Sequence, residues 1–189
     1  MKLTLIELAI ELACRAHRDQ VRKGTDLPYI SHPFGVALLL CRAGCDEEMI
    51  AAGILHDTVE DTRVTLDEIR KTFGNRVGDI VEGCSEPEKS RPWEERKAHT
   101  IRFLKDAPLD IKIVSCADKL HNLRSIAADR RRVGESVWDR FNRGREKQAW
   151  YYLEILRSLE SRPEDLDDPA FSQILDSFRK EVKSLFPED

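Results

Sequence analysis

The stretch Ile54-Leu55-His56-Asp57-Thr58-Val59-Glu60-Asp61 sets one imidazole and three carboxylates within eight residues. If it is helical, residues four apart share a face, and His56 lies beneath Glu60 and Asp57 beneath Asp61. Carboxylates so close raise one another's pKa unless a cation or a transferred proton compensates them. A divalent metal does so economically, and imidazole mixed with carboxylate suits manganese, iron, zinc or nickel better than magnesium or calcium. The competing reading is an exposed acidic helix end beside a core histidine, since charged helix faces are common. The apolar run Ala51, Ala52, Ile54 and Leu55 leading into His56 argues against it, because that pattern belongs to a buried helix.

A second acidic position lies in Ala117-Asp118-Lys119-Leu120-His121-Asn122-Leu123-Arg124. On a helix Asp118 and Asn122 share a face, with His121 one step round. Cys116, Ala117 and Leu120 surround Asp118 with apolar neighbours, so an unpaired carboxylate there is costly and calls for a cation. His32 precedes Pro33 in Tyr29-Ile30-Ser31-His32-Pro33, and the proline steers the residue before it away from helical geometry. Positive charge for an anionic substrate comes from Arg18, Arg22 and Lys23, although an Arg-Lys pair taken alone also reads as a solvated helix end. Lys119 and Arg124 face phosphate, or Lys119 pairs with a cluster carboxylate. His17 reads as a packing or supporting residue, His99 as part of a solvated face, and Trp93, Trp138 and Trp150 as packing residues.

Helices must position these groups. Apolar residues at helical spacing predict a first helix from Leu3 to about Val21, broken by Lys23-Gly24, and a second from about Pro33 to Ala43, stopped by Gly44. Asp46 caps a third that carries Met49 through Thr58, and Thr65 with Glu68 forms a capping box for a fourth, ending near Gly74. Further helices are predicted over 75–83, 93–105, 109–130 and 137–161, with a polar loop at 85–92 and an irregular stretch at 131–135. Asp168 and Pro169 open a last helix to about Leu185. No segment alternates with period two for long, so the class is all-α. The acidic, proline-bearing stretch 160–169 divides residues 1–160 from an additional C-terminal helix, 161–189, expected to pack on the same domain.

The 189 residues suffice for one domain with a sizeable core. With 35% charged residues and a net charge of −4, the chain has no basic excess for a nucleic-acid backbone. No segment reaches the apolar length of a membrane span, and the N-terminus lacks a basic-then-apolar signal run, so a cytoplasmic setting is expected. Cys14, Cys41, Cys45, Cys84 and Cys116 are scattered and odd in number, and are expected to act as buried small hydrophobes in a reducing compartment.

Taken together, His32, the pair His56-Asp57 and the distant Asp118 resemble the HD-domain metal-dependent phosphohydrolases, whose pattern is His, then His-Asp, then Asp. Arg18 through Lys23, Tyr29 through Pro33, His56 through Thr62, Phe73-Gly74 and Ala117 through Arg124 are similar, in order over about residues 3–130, to the hydrolase domain of the RelA/SpoT group and its small stand-alone relatives. Those enzymes remove the 3′-pyrophosphate from guanosine tetraphosphate and pentaphosphate, the alarmones of the stringent response. The resemblance implies an HD-domain helical bundle in which His32, His56, Asp57 and Asp118 hold one manganese ion, or another divalent metal. It assigns Glu60 and Asp61 to positioning and deprotonating the attacking water. It also implies that Arg22 and Lys23 bracket the guanine nucleotide and Asn122 contacts its sugar; Arg18 is a further candidate for holding the substrate, from its charge. Ser85-Glu86-Pro87-Glu88-Lys89 departs from the acidic pair with lysine common in that group, and is expected to shape the nucleotide pocket. No synthetase domain is present, so hydrolysis alone is expected. Two other readings stay open: the same metal site acting on a nucleoside monophosphate or a nicotinamide dinucleotide phosphate, and a non-catalytic HD-fold sensor. The sensor reading predicts loss of a ligand or of Glu60-Asp61, and all are present.

Overall fold

The computed structural model describes residues 3–86 and 89–187. Helix α1, Leu5–Ala16, opens on a capping box in which the Thr4 side chain accepts from the Glu7 N–H and the Glu7 carboxylate accepts from the Thr4 N–H. It ends at Ala16, well before the predicted Val21. Val21 is 55% exposed and pairs with Pro28 in an isolated antiparallel bridge, so its apolar side chain marks no buried helical face. The Arg22 N–H donates to Leu27 O at 2.8 Å and the Tyr29 N–H to Gln20 O at 2.9 Å, closing a loop that returns the chain to α2, Ser31–Arg42.

Helix α2 starts two residues before Pro33, which occupies its first turn, where no N–H is needed for the helical ladder. His32 is therefore the second residue of the helix, in helical geometry despite the proline after it, and buried. Asp46 caps α3, Glu47–Leu55, accepting from the Met49 N–H at 2.9 Å, and every residue from Met49 to Leu55 is buried. The predicted continuation through Thr58 fails. The helix is interrupted at His56-Asp57 and resumes as the short α4, Thr58–Asp61. Side chains capture the carbonyls at this point: Thr58 Oγ1 donates to Leu55 O at 2.6 Å, and His56 Nδ1 lies 2.8 Å from Gly53 O. The straight stacking of His56 beneath Glu60 is therefore replaced by a bend.

Helices α5, Leu66–Phe73, and α6, Asn75–Cys84, are joined at Gly74, whose φ of +92° suits glycine, and pack on each other. Helix α7, Trp93–Asp106, leads to the long α8, Leu109–Val133, with the last turn covering residues expected to be irregular. The predicted single helix over 137–161 is instead a 3₁₀ turn, Gly134–Arg140, followed by α9, Gly144–Leu159; Gly144 at φ +65° marks the break. A second 3₁₀ turn, Pro163–Asp167, precedes α10, Pro169–Leu185, capped by Asp168 as read from the sequence.

Helix α8 is the axis of the bundle, with α2, α3, α6 and α10 packed about it, α1 against α3 and α7 against α9. Every residue of α8 from Ile111 to Asp118 is buried, which brings Lys112 and Asp118 inside with the hydrophobes. Phe171, Ile174, Leu175, Phe178 and Val182 give α10 a buried stripe, each large side chain contributing about 1.5–3 kcal/mol by leaving water. The described residues form no strand, and no helix among them is long and apolar enough to cross a membrane. The cysteines depart from the expected burial: Cys116 alone is buried, Cys45 and Cys84 are half-buried, and Cys14 and Cys41 are exposed on outward helix faces.

Candidate active site

Three elements deliver one cluster. The first turn of α2 brings His32, the bend between α3 and α4 brings His56 and Asp57, and the middle of α8 brings Asp118. Donor atoms of His32, His56 and Asp118 all lie within 4.8 Å of one another, and all three residues are buried. His32 Nε2 is 3.1 Å from Asp118 Oδ1 and 3.6 Å from Asp57 Oδ2. His56 Nε2 is 3.0 Å from Asp57 Oδ2 and 3.7 Å from Asp118 Oδ1. The opposite ring nitrogens have other duties: His56 Nδ1 faces Gly53 O, and His32 Nδ1 lies 2.8 Å from His121 Nδ1. Both Nε2 atoms are thereby aimed at the carboxylates.

This donor set fits a divalent cation. With its proton on Nδ1 toward Gly53 O, a neutral His56 turns the Nε2 lone pair against the Asp57 carboxylate. That Nε2 is buried, lies 3.0 Å from Asp57 Oδ2 and makes no hydrogen bond. When protons are the only cations at hand, burial lowers the affinity of His56 for one, but Asp57 and Asp118 reverse this and hold its pKa well above the ordinary value. Burial likewise raises Asp57 and Asp118, yet His56 keeps Asp57 low, and Lys119 with His32 and His56 keeps Asp118 low. The site demands positive charge, and two imidazoles with two carboxylates are ligands for a borderline transition metal. Asp118 is further held by an ion pair with Lys119 and by Asn122 Nδ2, which donates to Oδ1 at 2.6 Å.

Glu60 and Asp61, on α4, stand beside this cluster. Glu60 Oε2 accepts from the Glu86 N–H at 2.9 Å, and burial pushes the Glu60 carboxyl above its ordinary value. Asp61 pairs with Lys89, whose Nζ also lies 3.7 Å from Glu60 Oε1. Gln20 Nε2 donates to Asp61 O at 2.8 Å and so ties α4 to the turn after α1.

A cleft of about 260 Å³ opens between the 17–30 loop, α8 and the 3₁₀ turn, lined among others by Arg22, Lys23, Tyr29, Asn122, Phe141 and Tyr152. Arg22 Nη2 donates to Asn122 Oδ1 at 2.7 Å, and its guanidinium lies 5.6 Å from the Tyr29 ring centre. Lys23 Nζ lies 6.0 Å from the Phe141 ring centre, opposite. Arg22, Lys23 and Asn122 are thus brought together. Arg18 is not with them: its side chain is 79% exposed and lines a separate groove with Arg63 and Asp61.

Three residues outside the predicted set join the site. Tyr29 donates to Asp57 Oδ2 at 2.5 Å while its ring lines the cleft, His121 backs His32, and Lys89 covers Asp61. Tyr29 stood in the stretch that flagged His32, but no periodicity distinguished it. His121 has its Nδ1 against His32; burial and His32 push its pKa down to about 4, so it is neutral. His17, 2% exposed, packs on Tyr29 with ring centres 4.9 Å apart. Of the loop expected to shape the pocket, Pro87 and Glu88 lie outside the described residues.

Comparison with known proteins follows this geometry. The HD domain family matches residues 9–145. The chain is 36% identical over 171 residues to the mouse guanosine-3′,5′-bis(diphosphate) 3′-pyrophosphohydrolase MESH1, covering 89% of this chain and 91% of that protein. It is 34% identical over 195 residues to a GTP pyrophosphokinase of Streptomyces antibioticus, covering 98% of this chain but 22% of that protein, so it spans about a fifth of that relative's length. Among solved structures, lmo0812 from Listeria monocytogenes EGD-e superposes with a TM-score of 0.74 at 42% identity, over 83% of this chain and 99% of that one.

Proposed function

The chain belongs to the HD domain family, and we propose that it hydrolyses the 3′-pyrophosphate of guanosine tetra- and pentaphosphate, releasing GDP or GTP and pyrophosphate. The observation that carries this reading is Asn122, which donates to Asp118 in the cation site and accepts from Arg22 in the cleft. A nucleotide seated in the cleft would thus have its phosphates directed toward the cation site.

In this reading His32, His56, Asp57 and Asp118 hold one divalent ion, which we assign as manganese. When bound, such an ion supplies Lewis acidity and lowers the pKa of water toward neutrality. Glu60 is the base: burial raises its proton affinity, which brings it closer to the range where a carboxylate takes a proton at neutral pH. Asp61, steadied by Gln20 through its carbonyl and by Lys89 through its carboxylate, orients the attacking water. Arg22 and Lys23 hold the nucleotide, and the Tyr29 and Phe141 rings lie against those two cations.

The test is a hydrolysis panel on the manganese-loaded full chain: both alarmones, nucleoside monophosphates and a nicotinamide dinucleotide phosphate. Pyrophosphate released from the tetraphosphate in step with GDP supports the reading. An intact tetraphosphate with metal bound overturns it, and cleavage of another member of the panel alone would reassign the substrate.

A further inference from the structure

Beside the carboxylates of α4 lies a second group of charges, of which the proposed hydrolysis uses only Lys119, through its ion pair with Asp118. Arg96 and Lys97 on α7 both grip the carboxylate of Glu86, Arg96 Nη1 at one oxygen and Lys97 Nζ at the other, 2.5 Å away. Lys119 on α8 acts on the same carboxylate electrostatically, and Lys97 Nζ lies 4.9 Å from the ring centre of Tyr151 on α9. These are enclosed groups: the side chains of Glu86, Arg96, Lys97 and Lys119 are 11%, 22%, 20% and 16% exposed.

The donors here outnumber what one carboxylate satisfies. Arg96 Nε and the Tyr151 hydroxyl are buried with no hydrogen-bond partner, and Tyr151 as a whole is 4% exposed. The Tyr151 hydroxyl is within electrostatic reach of both Lys97 and Lys119. Buried polar groups are ordinarily paired, so two orphans around one doubly gripped carboxylate point to a ligand with more acceptor oxygens than Glu86 offers. A tetrahedral phosphoanion has that number and the matching charge. We infer that Arg96, Lys97, Lys119 and Tyr151 form a phosphoanion pocket in which Glu86 is the resting occupant, displaced by the pyrophosphoryl group of a nucleotide or by free pyrophosphate.

Glu86 also touches the carboxylate assigned as base, its backbone N–H donating to Glu60 Oε2 at 2.9 Å. The nucleotide half of this inference rests on the proposed hydrolysis; the pocket itself does not.

The test titrates inorganic phosphate into the full chain, with and without manganese, by calorimetry and by tryptophan fluorescence. Trp93 serves as reporter, its ring centre 6.2 Å from that of Tyr151. Because Glu86 competes with the ligand, Glu86→Gln should bind phosphate about fivefold or more tighter, whereas Lys97→Met and Arg96→Met should weaken it about tenfold, the loss of one charge-assisted bond. Equal or weaker binding by Glu86→Gln, or full affinity in Lys97→Met, overturns the pocket. Should the cation variants fail to fold, Glu86→Gln decides alone, since glutamine keeps the size and shape of the side chain. If the pocket takes the nucleotide, Glu86→Gln lowers the alarmone KM in proportion. If it takes the free product, the KM stays and inhibition by pyrophosphate deepens. A chain that leaves the alarmone intact yet shows the Glu86→Gln gain keeps the pocket and loses the hydrolysis, so the two failures are distinguishable.

Discussion

The Tyr29 hydroxyl donates a 2.5 Å hydrogen bond to Asp57 Oδ2, the oxygen that also faces His32 and His56. Burial, reinforced by Asp57, pushes the phenol above its ordinary range, so it stays a donor throughout the working pH. The same ring packs on His17 and carries the Arg22 guanidinium, which ties the orientation of Asp57 to the cleft. Tyr29→Phe keeps the ring and deletes the donor. The expected outcome is a loss of manganese affinity of about 10-fold with little change in melting temperature, in the range seen when a partner of a metal ligand is removed. Direct metal titration checks it, and unchanged affinity would show that Asp57 needs no such support.

Glu60 and Asp61 should separate from Asp57 by what they lose. Replacing Glu60 or Asp61 by alanine is expected to cut turnover about 10²–10⁴-fold, the usual worth of a positioned acid or base, with bound manganese retained. Asp57→Ala is expected to empty the site. Metal analysis of the purified variants beside their rates distinguishes the roles, and metal lost from the Glu60 or Asp61 variant would make those residues ligands.

Lys112 is fully buried on α8, with its Nζ donating to Asp165 Oδ2 at 2.6 Å and to Lys105 O at 2.9 Å. Asp165 belongs to the 3₁₀ turn ahead of α10, so this pair fastens that turn to the bundle, and we propose that the segment 161–189 folds with the bundle as one unit. Asp165→Ala strands a buried ammonium and should cost about 3–5 kcal/mol. The double variant Lys112→Met with Asp165→Leu should recover most of that loss. Urea unfolding checks both, and a separate early transition for the C-terminal segment would contradict the single unit.

Burial tends to raise the Glu86 carboxyl, but Lys97 and Arg96 outweigh it and hold its pKa below the ordinary 4.5. A carboxyl lower in the folded than in the unfolded chain adds stability that is fully present above the unfolded value and lost as pH falls through the folded one. The wild-type chain should therefore lose, on acidification below pH 4.5, a part of its stability that Glu86→Gln never has. Parallel melts of the two proteins from neutral to acid pH give the difference. A gap between them that stays constant with pH would mean that the Glu86 charge is not preferentially held in the folded state.

Much of the architecture was legible because its signals are local. Asp46 before Met49, Thr65 with Glu68, and Asp168 with Pro169 each place a helix start by satisfying backbone N–H groups a few residues away. Where side chains overrode the local pattern, the reading failed: exposed Val21 looked like a core residue, and Thr58 and His56 broke a helix whose apolar period continued.

Residue types and order determined that this chain is helical and that His32, His56, Asp57 and Asp118 are suited to a cation, because imidazole and carboxylate chemistry and helical period are properties of short segments. Only the tertiary structure decided that they share one space, since this depends on how α2, the α3–α4 bend and α8 cross. The Arg22–Asn122 bond spans 100 positions in the chain, and no local rule links such a pair. The same holds for Tyr29 on Asp57 and for the cations around Glu86: each is an ordinary polar residue in sequence, and burial beside its partner is what gives it a task.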